Sequence, residues 1–163
     1  MHHQPDGAAF DIVLLLHVAC VVAGLVTTLT AATTAARLRR LVATAAALPE
    51  AVRRYFRPGT NWAGRFIWGI PVFGFALLAM SQGAYGLYDG WVMGGLAIFV
   101  VVALLAEGVL WPAERRVQAA LAAGAEPPPD AALVGREATL LVRAGAAAVV
   151  LLLIGTVLMI AQP

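Results

Sequence analysis

The chain has 163 residues, 61% of them hydrophobic and only 12% charged. A soluble domain of this size carries about twice that charged share, so composition places the chain among membrane proteins, and its net charge of +2 is too small to point to nucleic acid. The single cysteine excludes an internal disulfide and any cysteine-pair metal site.

Four segments are long and apolar enough to cross a hydrocarbon layer of roughly 30 Å, which takes about 20 helical residues. The N-terminal tail lacks a basic stretch before its apolar run, so it is expected to be a short outer tail leading into a retained span, not a signal peptide. The first span runs from about Phe10 to Ala36 and carries small residues (Gly24, Thr27, Thr28, Ala31, Thr34 and Ala35) that permit close helix approach. Basic residues follow it, and the first helix is expected to project beyond the bilayer. Pro49 and Glu50 then read as the start of a short second helix. "RPGTN" is a turn in which Thr60 or Asn61 can cap the second span, about 62–82, and Pro71 is expected to kink that span. "SQGAYGLYDG" is a tight link, which makes the second and third spans antiparallel neighbours. The third span covers about 91–111, and "WPAERRVQAALAAG" reads as its kinked extension. "EPPPD" is a stiff break, after which Asp130 can cap the helix that becomes the fourth span, about 138–161. Such runs cannot be strands with an open edge, because lipid offers no partner to backbone groups. The expected fold is all-α: one membrane domain, an antiparallel bundle of four transmembrane helices with helical cytoplasmic extensions.

Arginine placement sets the expected orientation. All eleven basic residues are arginines, and they fall in or beside the connections 37–61 and 112–137, or just inside the adjoining spans. The positive-inside rule puts those connections in the cytoplasm and both termini outside, in a bacterial inner membrane. Tyr85, Tyr88 and Trp91 mark the outer boundary, and Trp62, Trp68 and Trp111 the inner one.

Two polar exceptions inside the spans attract chemistry. Glu107 lies roughly 6 Å inside the cytoplasmic boundary, at a depth shared with Arg143 and close to that of Arg65. The expectation is an ion pair, Glu107–Arg143 or Glu107–Arg65, stapling the inner mouth; the alternative is a proton or ion relay. His17 lies about 10 Å below the outer boundary. Cys20 is one turn deeper on nearly the same face, and topology brings Met80, Met93 and Met159 into the same outer half. Imidazole with thioether or thiolate suits monovalent copper, and a histidine–methionine pair can ligate haem iron. The opposing reading has His17 donating a hydrogen bond to a neighbouring helix's carbonyl, with Cys20 and the methionines as packing residues. A free terminal amine with His3 behind His2 could also wrap divalent copper or nickel.

No phosphate loop, paired catalytic carboxylates or nucleophile with a depth-matched histidine occurs, which argues against a hydrolase or kinase. The spans also lack the polar stripe of a lone channel or transporter. "LLLHVACVVAGLVTT" and "LWPAERRVQ" resemble segments of small bacterial four-helix predicted integral membrane proteins, similar in plan to copper-resistance-D-type membrane domains. The resemblance implies a plasma-membrane protein with metal or haem association, and His17 is the position it carries over. The functional expectation is a non-catalytic membrane protein acting through helix association, as a homo-oligomer or accessory subunit in the bilayer. Its alternative is a haem b- or copper-binding protein of electron transfer or metal handling that uses His17.

Overall fold

In a computed structural model, which describes residues 7–122 and 130–161, the chain is helical with no strand among those residues. Helix α1 spans Ala8–Ala43, α2 Glu50–Tyr55, α3 Gly69–Met80, α4 Gly90–Leu105, α5 Trp111–Ala122 and α6 Ala131–Ala161. A 3₁₀ segment, Trp62–Trp68, leads into α3, and a π-helical turn, Ala106–Leu110, joins α4 to α5. Four of the resulting rods are long and apolar enough to cross a membrane: Ala8–Ala43, Trp62–Met80, Gly90–Ala122 and Ala131–Ala161.

The helices overrun most of the span limits read from the sequence, because hydropathy marks where apolar residues end and not where backbone hydrogen bonding ends. Helix α1 continues through its arginines to a capped end at Ala45, which takes φ 50°. There the Ala46 N–H donates to the Leu41 carbonyl at 3.0 Å and the Ala45 N–H to that of Val42 at 3.2 Å. This is a Schellman ending with alanine where glycine is usual. Threonines fit inside α1 because their hydroxyls bond back to the preceding turn, Thr27 to the Ala23 carbonyl and Thr33 to that of Leu29, both at 2.8 Å.

The start signals lie at the helix starts, with Pro49 at the N-cap of α2 and not at its first helical position. Asn61 caps the 3₁₀ segment, its Oδ1 accepting from the Gly64 N–H at 3.3 Å. Asp130 caps α6, its Oδ1 accepting from the Leu133 N–H at 2.8 Å. The rest of "EPPPD" lies outside the described residues. Pro112 comes two residues after the π turn; it has no N–H for the carbonyl of Gly108, and a wider turn accommodates that missing bond.

The described residues divide into two compact units. The first holds residues 7–27, 61–103 and 150–161. Here α1 meets α3 through glycines: Cys20 Sγ fills the space a Gly69 side chain would need, and Gly24 lies 3.8 Å from Ile70 when given a Cβ. Helix α4 meets α6 the same way, with Leu158 over Gly94, Met159 over Gly95 and Ile98 against Gly155. Ser81 closes α3, with its Oγ 2.8 Å from the Leu78 carbonyl and 3.1 Å from that of Tyr85, while Asp89 accepts from the Gly86 N–H at 2.8 Å.

The second unit holds residues 28–60, 104–122 and 130–149. Its core is fully enclosed: Leu38, Val52, Phe56, Val117, Val134 and Leu141 are each at most 2% exposed. Gly145 lets α6 press against Ala32 of α1. Glu137, also fully buried, takes Arg116 and Arg136 as ion-pair partners, each at 3.0 Å.

Candidate functional site

The first unit carries the polar group that apolar packing does not explain. His17 Nδ1 lies 2.9 Å from the carbonyl oxygen of Ile70 on α3. A carbonyl only accepts, so Nδ1 carries the hydrogen and donates it. The close approach depends on Gly74, one turn further along α3, where a Cβ would stand 3.4 Å from His17 Cε1. The bond fixes the ring's orientation, as second partners do for functional histidines.

The ring lies at the wall of a cavity of about 380 Å³, adjoining a smaller one of about 130 Å³. Both are walled by His17, Ile70, Leu77, Tyr85, Trp91, Gly95, Phe99 and Met159. Tyr85 and Trp91 pack edge to face with centroids 5.4 Å apart, and Phe99 is held the same way by Trp68 at 5.7 Å. Among the described residues, no charged side chain lines either cavity. With Nδ1 committed, a neutral imidazole presents Nε2 as a lone-pair acceptor, and Nε2 has no hydrogen-bond partner among the described residues.

Of the five residues read as possible metal ligands, His17 and Met159 share the cavity wall, while Met80, Met93 and Cys20 do not line it. Cys20 is buried against Gly69, and Met93 is half exposed. The i+3 offset explains the split: one turn along α1 the side chain meets the backbone of α3 at a glycine, where a small thiol packs as an apolar group. One imidazole and one thioether make a sparse set for copper. A haem would use the same two donors but would find no charged residue along the cavity wall for its propionates. Among the described residues, no three of histidine, cysteine, aspartate and glutamate cluster as a metal site. His2 and His3 lie outside the described residues.

Glu107 sits exposed on the π turn and forms no ion pair with Arg143 in the second unit; the carboxylate that arginines hold there is Glu137. Arg65 belongs to the 3₁₀ segment of the first unit. Sequence reasoning passed over Glu137 because it lies one residue before the expected fourth span. It also missed Gly74, whose spacing from Gly69 and Ile70 was the available sign that α3 offers bare backbone to a neighbour. No family model, no curated protein and no solved structure matches this chain.

Proposed function

We propose that the chain is a non-catalytic, multi-pass protein of a bacterial inner membrane that holds a small apolar molecule at the His17 cavity. The observation that carries this reading is an imidazole tethered to the Ile70 carbonyl at 2.9 Å on the wall of a largely apolar space of about 380 Å³. Small-molecule sites have this character: concave, mostly apolar, roughly 300–1,000 Å³, with few placed polar groups. In this reading the four spans form an antiparallel bundle. Arginine asymmetry supports cytoplasmic connections at 37–61 and 112–137 and outer termini.

Part of the small-residue set is taken up inside the chain: Gly24 and Ala35 are buried, and Gly94, Gly95 and Gly145 each receive a side chain of the same protein. Action as a homo-oligomer or accessory subunit is the second reading, favoured by Trp62 and Phe66, which stand 74% and 58% exposed on one short segment. Cross-linking in native membranes tests it: adducts lost in Trp62→Ala/Phe66→Ala support a partner there, and unchanged adducts count against one.

The cavity reading is tested by native mass spectrometry of protein released from mild detergent. Leu77→Trp fills the cavity and leaves the His17–Ile70 bond in place. The expected result is a small apolar adduct on the wild type that disappears in Leu77→Trp. Identical spectra, free of adducts, would overturn the proposal.

A further inference from the structure

We infer that the ligand of this cavity is a lipid-soluble phenol: an aromatic ring whose hydroxyl donates to His17 Nε2 and whose tail is aliphatic. The inference rests on the cavity being a binding site and adds the chemistry of what binds.

The first ground is a proton inventory. Nδ1–H is spent on Ile70, so in the neutral ring Nε2 offers only a lone pair. A ketone, quinone, ester or ether would bring lone pairs to a lone pair. A hydroxyl brings the proton that is missing. The Thr156 hydroxyl on the cavity wall already donates to the Leu152 carbonyl at 2.8 Å, which leaves the Tyr85 hydroxyl and the Trp91 N–H as the other polar groups there.

The second ground is the wall. Tyr85, Trp91 and Phe99 present ring faces and edges to the same space as the imidazole, and aromatic pairs gain about 0.5–1.5 kcal/mol beyond area burial. A phenol supplies the ring and a stronger hydroxyl donor than an aliphatic alcohol. Size agrees: a cavity of roughly 150 Å³ takes up benzene, so about 380 Å³ admits a substituted ring with several carbons of tail. Leu14, Val18, Val22 and Ile160 line the cavity and are also 41–79% exposed. On a membrane-spanning segment that surface faces lipid, so the ligand arrives from the hydrocarbon phase.

The test compares three probes on the full chain in lipid nanodiscs, read by Trp emission and thermal shift: para-hexylphenol, its methyl ether, and para-hexylcyclohexanol. The expected result is that the phenol binds about tenfold more tightly than the ether, one hydrogen bond's worth, and more tightly than the cyclohexanol. His17→Ala should abolish the preference, and Leu77→Trp, which keeps the imidazole, should abolish binding of all three. Equal affinities for phenol and ether overturn the hydroxyl assignment, and a cyclohexanol equal to the phenol overturns the aromatic one. An endogenous adduct that persists while every probe fails defeats the phenol inference and leaves the cavity reading standing. Loss of the adduct defeats both.

Discussion

The two units bury their residues in opposite ways. In the unit of residues 28–60, 104–122 and 130–149, large side chains such as Phe56 and Leu141 are almost wholly enclosed, and the buried carboxylate of Glu137 is paired. In the unit of residues 7–27, 61–103 and 150–161, α3 has no fully buried residue, and its histidine borders open space. Enclosure of the first kind gains from removing apolar groups from solvent. In the membrane setting proposed for the spans, lipid is as apolar as a leucine side chain, so contact there is won by glycine approach and shape, and a void costs less. A cavity can persist where the solvent does not press the walls shut.

That contrast can be broken most directly by truncation. Phe56→Ala should destabilise the protein by about 3–5 kcal/mol, whereas Leu77→Ala at the cavity should cost at most about 1.5 kcal/mol; denaturant titration in detergent compares them, and equal costs would erase the distinction. Next in size is the ion-paired carboxylate. Removing both partners, Arg116→Ala with Arg136→Ala, should cost about 2–3 kcal/mol, below the full penalty of a broken buried pair because the guanidiniums are 54% and 69% exposed. Glu107→Gln should leave the same titration unchanged, since Glu107 is exposed. Ser81→Ala in the first unit should cost about 1–2 kcal/mol through the loss of its hydroxyl from the α3 ending, with hydrogen exchange rising in the 81–90 link. The smallest effect is a gain: Ala45→Gly relieves the φ of 50° and should add about 0.5–1 kcal/mol, read as a raised melting temperature.

Much of this was legible in residues with local rules. Asn61, Pro49 and Asp130 begin helices because an oxygen or a fixed φ at a helix start needs no knowledge of the rest of the fold. The apolar runs announced four membrane-length helices for a similar reason. The site was legible in depth but not in rotation. Topology put His17 and Met159 in the same outer half, and both line the cavity. Rise says nothing about which way Cys20 turns, nor that Gly74 would let the ring approach Ile70 and spend Nδ1 there. The Glu107–Arg143 pairing shows the same gap: depth matched the two residues, while azimuth left Glu107 exposed.

The 3₁₀ segment before α3 has a consequence for length. The rod Trp62–Met80 has only 19 residues, which as α-helix would rise about 28 Å, short of a hydrocarbon layer of roughly 30 Å. Seven of those residues are wound more tightly, at about 2.0 Å each instead of 1.5 Å, which stretches the rod to about 32 Å. Winding thus replaces two missing residues, and a change that relaxed Trp62–Trp68 to ordinary α-helix would leave this rod too short for the bilayer without any loss of hydrophobicity.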